Sequence, residues 1–293
     1  NFYKTLWKVI LGGDPYTGTI LNKKKDGLFY WCEQSITPMK NENGKITNFV
    51  SVIKDISELK KNQEQDFYLR IATEVQLRLS KTKFSVPGFD IAGATHSALE
   101  TSGDYFDFLM GLECSNNHFD MVVGDVTGHG VDAALLMTTA RAFLRMRASQ
   151  PGTLSEVITA MNNHLALDVL DTGKFMTLFY LSIDLQQKHL GWVRAGHEPA
   201  IFYDPATNTI EELKGPGMAL GVDETWQYEE NQKKGLARGQ IMVFGTDGIW
   251  EAVNGDGVMF GKDAVRQILK DHRDKPAATI LEAIFAAVST HTS

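Results

Sequence analysis

The stretch that decides the fold reads Val122-Val123-Gly124-Asp125-Val126-Thr127-Gly128-His129-Gly130. A strand is predicted over residues 119–126 and a helix over residues 131–147, so this stretch joins a sheet to a helix. A carboxylate at such a strand end projects from the rim of a rigid sheet, and neighbouring glycines let backbone approach closely. Because hard divalent cations prefer oxygen ligands, Asp125 is a candidate metal ligand.

Two more segments place an aspartate beside glycines. Ser102–Asp107 reads Ser-Gly-Asp-Tyr-Phe-Asp, and Val243–Gly248 reads Val-Phe-Gly-Thr-Asp-Gly. Taken singly, each aspartate is better explained as the cap of a turn or a helix. Three in one domain weaken that explanation. Together, Asp104, Asp125 and Asp247 indicate a site for two cations that share and activate a water molecule.

Other polar residues near these segments have ordinary explanations. His129 lies in a glycine-rich turn and is equally well read as a cap of the following helix. His197, in Ala-Gly-His-Glu-Pro, is equally well read as a turn residue. Arg141, Arg145 and Arg147 follow one another on the predicted helix, and we expect them to form its solvated face.

Composition and motifs exclude several classes of protein. The 293 residues carry 29 basic and 36 acidic side chains, a net charge of −7, which argues against a broad basic surface for nucleic acid. Cys32 and Cys114 form no CxxC pair, so a disulfide scaffold or structural zinc site has little support, and we expect a cytoplasmic protein. Phosphate-loop, zincin and serine-hydrolase motifs are absent from the sequence, and no apolar run is long enough for a membrane span.

The order of the predicted elements favours an α+β fold. Hairpins dominate the strand order and the helices come in blocks, which is typical of antiparallel sheets with segregated helices. Beyond residue 87 we predict strands over 89–97, 105–112, 119–126, 175–183, 189–194, 201–203 and 241–244. In the same region we predict helices over 131–147, 154–170, 264–270 and 276–288.

The first 80 residues predict a β-meander followed by a helix. Asp26-Gly27 and Asn43-Gly44 are hairpin-turn signals, with strands over residues 28–37 and 46–56 and one earlier strand. Ser57 is a candidate cap for a helix over residues 57–80, which is charged at first and then apolar at helical spacing. The pattern fits either a helix packed on its neighbours or a two-stranded coiled coil.

Five blocks of the second part resemble a known family in order and spacing. They are SGDYFDF at 102–108, GDVTGHG at 124–130, AGHEP at 195–199, MALG at 218–221 and GTDGIWE at 245–251. On these blocks, residues 88–293 resemble the bacterial SpoIIE/RsbU-like branch of the metal-dependent protein phosphatases, the PPM or type 2C class. The resemblance implies an αββα sandwich, in which two antiparallel sheets lie face to face with helices outside both.

A second resemblance covers the start of the chain. Lys25-Asp26-Gly27, Asn43-Gly44-Lys45 and Asp55-Ile56-Ser57 resemble the C-terminal half of a PAS sensor domain, whose ligand the sequence does not identify. The implied organisation is a partial PAS domain over residues 1–56, a linker helix over residues 57–86 and a phosphatase domain over residues 87–293.

The phosphatase resemblance implies a reaction and a set of residues. The reaction is hydrolysis of phosphoserine or phosphothreonine on a protein by a hydroxide held on two Mn²⁺ or Mg²⁺ ions. The implied ligands are Asp104, the bridging Asp125, the Val126 carbonyl and Asp247. The same blocks place three residues near the site without a stated role: Asp107, Gly128 and His129.

The resemblance also implies a partner, and one departure from it leaves an alternative open. The implied substrate is a phosphorylated anti-anti-sigma factor, and the linker helix offers a route to a homodimer. The family carries a last ligand in an Asp-Asp strand that is missing after Ser293. We therefore expect a piece of a longer protein, cut at both ends, with a weakened second metal site. The alternative is a non-catalytic signalling module that binds a partner.

Overall fold

The computed structural model describes residues 2–79, 84–95, 102–110 and 118–293. The chain divides into two compact units, Asn1–Ile71 and Ala72–Ser293. No helix in the described ranges has both the length and the apolar character needed to cross a membrane. Cys114 and the predicted strand residues 96–97 and 111–112 lie outside the described residues.

The first unit is a three-stranded antiparallel sheet with a helix against one face. Its elements are α1 (Phe2–Leu11), β1 (Tyr16–Lys23), β2 (Phe29–Lys40) and β3 (Ile46–Asp55), with strand order β1-β2-β3. Leu6 and Ile10 of α1 pack on Ile20 and Cys32 of the sheet. The two predicted hairpins are present, but the prediction of a pure meander missed α1. Leu6 and Ile10 are one helical turn apart, which allows both to reach the sheet.

The helix that follows begins where the sequence predicted, but the Ser57 side chain does not cap it. Helix α2 spans Ser57–Leu79. The Ser57 N–H donates to the Asp55 carboxylate at 3.0 Å, while the Ser57 hydroxyl accepts the Trp31 N–H at 2.9 Å. The prediction that Ser57 caps α2 is therefore wrong, since its hydroxyl is bonded to β2.

The second unit contains two antiparallel sheets. Its strands are β4 (Tyr105–Met110), β5 (His118–Val126), β6 (Met176–Asp184), β7 (His189–Ala195), β8 (Ala200–Asp204), β9 (Thr209–Leu213), β10 (Asn231–Lys234) and β11 (Ile241–Val243). The larger sheet has the strand order β10-β7-β6-β5-β4, and the smaller sheet has the order β11-β8-β9. The helices of this unit after α2 are α3 (Val131–Ala148), α4 (Leu154–Asp168), α5 (Lys262–Asp271) and α6 (Ala277–Thr292).

Burial places these elements in four layers. The two sheets face each other through a core that includes Phe106, Phe179 and Trp192 of the larger sheet and Phe202 and Leu213 of the smaller. Helices α3 and α4 cover the outer face of the larger sheet, and α5 and α6 cover the outer face of the smaller one. The predicted αββα sandwich is confirmed.

Some strand predictions were incomplete or wrong. Strands β9 and β10 were missed because their sequences, Thr-Ile-Glu-Glu-Leu and Asn-Gln-Lys-Lys, are polar and lie at sheet edges, where little apolar patterning is needed. The strand predicted from residue 89 is not formed over residues 90–95, and Val86 and Phe89 make only an isolated bridge.

Candidate metal centre

Asp125 lies at the end of β5, where the chain has room for close approach on one side. It is directly opposite Thr177 of β6, and the following Val126 N–H donates to the Gly103 carbonyl at 3.3 Å. A Cβ added to Gly103 would lie 2.6 Å from the Val126 carbonyl oxygen and 3.3 Å from the Asp125 Oδ1. The missing side chain of Gly103 therefore lets the segment before β4 close onto this carboxylate.

Asp104 reaches the same place from the start of β4. The Ser102 hydroxyl donates to its Oδ2 at 3.0 Å, and the Thr246 side chain also hydrogen-bonds the carboxylate. Thr246 belongs to the loop that follows β11 in the other sheet. That hydrogen bond brings the next residue, the exposed Asp247, to the edge shared by Asp104 and Asp125.

The three carboxylates repel one another electrostatically. Burial raises the pKa of Asp125 to about 7, and the negative charges of Asp104 and Asp247 add to the shift. Burial is also the largest cause that raises the pKa of Asp104, helped by the charge of Asp247 and opposed by the bonds from Thr246 and Ser102. A bound cation would relieve this repulsion. The donor set therefore fits a hard divalent ion in kind and in charge.

The three carboxylates are close enough to affect one another's pKa values, but they do not form a tight coordination shell in the structure. Among the residues that the structure describes, no three His, Cys, Asp or Glu side chains lie together closely enough to hold a metal ion. Charges repel over longer distances than those at which ligands coordinate, so the two observations are compatible. Asp247 is exposed, and exposed side chains change rotamer on the picosecond to nanosecond timescale. A coordination shell would therefore need side-chain movement, and of the three carboxylates Asp247 is the best placed to supply it.

The glycine-rich loop after β5 is held on one side and open on the other. Thr127 exchanges hydrogen bonds with Phe175, its N–H donating at 3.0 Å and its hydroxyl accepting at 3.0 Å. Gly128 and Gly130 have φ values of +88° and +87°, which favour glycine. His129 is exposed, and the cap of α3 is Gly130 without a side-chain bond. The reading of His129 as a helix cap is therefore wrong.

Asp107 lies away from the other carboxylates. It is 0% exposed and faces the helix layer, as Tyr105 does, whereas Phe106 and Phe108 point into the core between the sheets. Arg145 of α3 holds both its oxygens at 2.6 Å. This geometry gives Asp107 a role in joining β4 to α3.

The arginines on α3 do not form a solvated face. In addition to Arg145, Arg141 lies 3.4 Å from the Asp107 carboxylate, and Arg147 donates to the Pro151 carbonyl at 3.1 Å. The expectation failed because the partner of Arg145 and Arg141 is a buried carboxylate on a distant strand, which helical spacing does not reveal.

His197 lies in the region of the candidate site, although its sequence context predicts an ordinary turn residue. Its side chain is buried between the two sheets, bonded to Thr177 and to the Gly245 carbonyl. Burial lowers the pKa of His197 to about 4, so the ring is neutral at neutral pH. The signal that could have singled it out is its place in the Ala-Gly-His-Glu-Pro block. Thr246 has the same signal from its place in the Gly-Thr-Asp-Gly block, whereas Thr177 lies in none of the quoted blocks.

Comparison with known proteins identifies the family of the second unit. A model of the family described as Stage II sporulation protein E (SpoIIE) matches residues 115–293, more than half of the chain. The chain belongs to the SpoIIE family. A PAS-fold model also matches residues 1–53, which agrees with the resemblance seen at the start of the sequence.

Two curated relatives of this SpoIIE-family chain come from Bacillus subtilis. Phosphoserine phosphatase RsbU is 27% identical over 226 residues, which cover 76% of this chain and 65% of RsbU. Phosphoserine phosphatase RsbP is 23% identical over 233 residues, which cover 76% of this chain and 55% of RsbP. The match therefore spans just under two thirds of one relative and about half of the other.

A solved structure supports the fold. The SiaA-PP2C domain of Pseudomonas aeruginosa superposes with a TM-score of 0.67 at 21% identity, covering 81% of this chain and 93% of that domain. At this identity the likeness establishes a PP2C-type fold for the SpoIIE-family unit.

Proposed function

We propose that this chain is a PAS-regulated, metal-dependent phosphatase that hydrolyses phosphoserine or phosphothreonine on a signalling protein. The observation that carries the proposal is the repulsive group formed by Asp104, Asp125 and Asp247 at one edge of the sandwich. Its relatives RsbU and RsbP are named phosphoserine phosphatases, which supports the choice of substrate. We propose an anti-anti-sigma factor as the phosphorylated partner.

In this proposal the chain contributes oxygen ligands and a fixed geometry. Asp104, Asp125 and Asp247 would hold two Mn²⁺ or Mg²⁺ ions, and the Val126 carbonyl would be a further ligand. When bound, such ions supply an activated water and neutralise charge on a phosphoryl group. Ser102 and Thr246 orient the Asp104 carboxylate through their hydrogen bonds. Gly128 and His129 lie beside this edge and are proposed as its rim.

The test measures metal binding and hydrolysis together. Mn²⁺ and Mg²⁺ are titrated into the chain by calorimetry, and release of phosphate from a phosphoserine peptide and an aryl phosphate is followed. We expect Asp125→Ala to abolish both, since it removes the shared ligand. The control is Asp256→Asn, an exposed aspartate in the turn before α5. If the parent chain binds neither ion and releases no phosphate, the proposal is wrong and a non-catalytic binding module is favoured.

We also propose that α2 pairs with α2 of a second copy. Tyr68, Ile71 and Val75 are exposed and follow the alternating three- and four-residue spacing of a coiled-coil seam. Sedimentation of the parent chain, of Ile71→Glu and of the control Lys61→Glu tests this. We expect Ile71→Glu alone to shift the chain towards monomer, and a monomeric parent would contradict the proposal.

A further inference from the structure

The side chain of His197 connects the two sheets at the candidate metal centre. His197 lies in the loop between β7 and β8, and only 3% of the residue is exposed to solvent. Its Nδ1 is 2.8 Å from the Thr177 hydroxyl, and its Nε2 is 3.1 Å from the Gly245 carbonyl oxygen. Both ring nitrogens therefore have a partner, one on each side of the sandwich.

The Gly245 carbonyl decides how the ring is protonated. A carbonyl oxygen only accepts, so the Nε2 of the neutral ring carries the proton and donates it. The Nδ1 must then accept, and the Thr177 hydroxyl donates to it. Exchanging the two roles would break the bond to the Gly245 carbonyl, whereas the Thr177 hydroxyl could still accept from a protonated Nδ1.

The two partners of His197 lead directly to two candidate ligands. Thr177 is the residue directly opposite Asp125 in the pairing of β5 with β6. Gly245 precedes Asp247 by two residues in the loop after β11. The imidazole therefore spans the gap between the strand pair that carries one carboxylate and the loop that carries the other.

The backbone around His197 is itself held in place. Arg194 donates to the His197 carbonyl at 2.8 Å and to the Gly215 carbonyl at 2.7 Å. Gly196 has a φ of +68°, and a Cβ there would lie 2.8 Å from the Ala219 nitrogen. The loop therefore has little freedom to move the ring.

We propose that His197 is a positioning residue that sets the separation between Asp125 and Asp247, and through it the affinity for the divalent cation. This inference rests on the proposed function, since it assumes that those carboxylates bind a metal. His197 contacts neither carboxylate in its hydrogen bonds and acts through Thr177 and Gly245. Groups that orient metal ligands from behind change metal affinity when they are removed.

Two substitutions separate the two ends of the ring. The amide nitrogen of Gln lies near the place of the histidine Nε2, so His197→Gln keeps a donor for the Gly245 carbonyl. Asn is shorter and reaches only the place of Nδ1, so His197→Asn loses the bond to Gly245. The matched control is His272→Gln, because His272 is half-buried and bonded to the Ile268 carbonyl in α5, remote in sequence from the site.

Mn²⁺ calorimetry at a temperature well below unfolding is the readout. We expect His197→Asn to weaken Mn²⁺ binding by about 10- to 100-fold, the usual effect of losing a group that supports a ligand. We expect His197→Gln to recover most of that loss and His272→Gln to bind as the parent does. A general loss of stability would not distinguish Asn from Gln in this way. In the metal-free parent, ¹⁵N spectra should show the Nε2-protonated neutral ring.

Several outcomes would overturn the inference. One is a folded His197→Asn variant that binds Mn²⁺ as tightly as the His272→Gln control. Another is an ¹⁵N spectrum that shows the His197 ring protonated on Nδ1. If His197→Asn does not fold, Thr177→Val removes the other bond with a similar shape, and unchanged Mn²⁺ affinity there has the same meaning. A parent chain that binds no Mn²⁺ overturns the proposed function first, whereas equal binding by parent and variants overturns only the inference.

Discussion

At the scale of single residues, the ionised Asp125 carboxylate that we propose as a metal ligand lowers the stability of the metal-free protein. Its folded-state pKa of about 7 lies above the ordinary value of 3.8 for an aspartate in an unfolded chain. Because the fold favours the protonated carboxyl, its contribution to the free energy of unfolding is fully present below pH 4. That contribution is lost as the pH rises to about 7 and the folded carboxyl ionises. We predict that metal-free Asp125→Asn is more stable than the parent above pH 7, by roughly 1 kcal/mol after allowance for partial solvation.

Urea unfolding of both proteins in chelator, from pH 4 to pH 8, measures this difference. The gain should shrink to nothing near pH 4, where the parent carboxyl is protonated as well. Asp256→Asn, on an exposed turn, is the control and should show no such pH dependence. A constant difference across the range would mean that charge repulsion at Asp125 is not its cause.

Gly103 offers a second residue-scale prediction, in which space decides the outcome. A Cβ there would lie 2.6 Å from the Val126 carbonyl oxygen, whereas a Cβ on Gly255 would meet nothing within 4 Å. We predict that Gly103→Ala lowers the free energy of unfolding by about 1–3 kcal/mol through overpacking and weakens Mn²⁺ binding. Gly255→Ala should change neither quantity in chemical unfolding and calorimetry. Equal behaviour of the two variants would show that the segment before β4 adjusts without cost.

Residue types at strand ends were readable from the sequence, but their partners were not. Asp104 and Asp125 were predicted as ligands because three aspartates beside glycines occur at strand ends in one domain. The pairing of Asp107 with Arg145 joins residues 38 positions apart on a strand and a helix. Only the packing of α3 on the sheet brings them together, and no local pattern encodes that contact. The same reason kept Thr177 hidden as the partner of His197.

At the scale of elements, the buried pair of Asp107 and Arg145 ties β4 to α3. Strand β4 follows Asp104, and α3 follows the glycine-rich loop, so the pair joins the elements that leave both sides of the candidate centre. We predict that Arg145→Gln lowers the free energy of unfolding by about 2 kcal/mol, because the buried Asp107 carboxylate loses both of its 2.6 Å bonds and keeps only Arg141, 3.4 Å away, as a cationic partner. The exposed pair of Arg78 and Glu74 is the control, and Arg78→Gln should cost at most about 0.5 kcal/mol.

A double variant distinguishes lost charge pairing from lost packing. Adding Asp107→Asn to Arg145→Gln removes the buried negative charge that has lost its nearest cation, so part of the stability should return in urea unfolding. If the double variant is less stable than Arg145→Gln by the full cost of Asp107→Asn alone, the two side chains act independently. That result would contradict the link between β4 and α3.

Element prediction succeeded where the amphipathic pattern is strong and failed at the margins. The apolar residues of α3 and β6 are visible in the sequence because α3 buries one face and β6 is buried over nearly its whole length. The polar edge strands β9 and β10 carry little such pattern. Helix α1 was missed because aromatic residues at its start read equally well as a strand.

At the scale of the whole molecule, the order of strands and helices predicted an α+β fold with antiparallel sheets. The four layers of the sandwich were implied by the family resemblance and not by that order. The boundaries of the predicted domains at residues 57 and 87 stay a prediction. The division into compact units falls inside α2, after Ile71. A continuous helix carries no turn signal at such a point, which is why sequence alone did not indicate it.

The confinement of the candidate ligands to one unit leads to the last prediction. Asp104, Asp125 and Asp247 all belong to Ala72–Ser293. A ligand stabilises the part of a protein that binds it, by about 2.7 kcal/mol at a hundred-fold excess over its dissociation constant. We therefore predict that Mn²⁺ slows amide hydrogen exchange in β4, β5 and the segment after β11. Peptides from Asn1–Ile71 should exchange as before.

Exchange followed by mass spectrometry, with and without Mn²⁺, resolves the two units in one experiment. Asp125→Asn is the control, since any slowing that survives its loss must come from binding elsewhere. Equal slowing in both units would place the metal outside the three carboxylates or show that its effect spreads through α2. Slowing limited to the ends of β4, β5 and β11 would show that the bound cations engage segments from both sheets, because no single sheet contains all three.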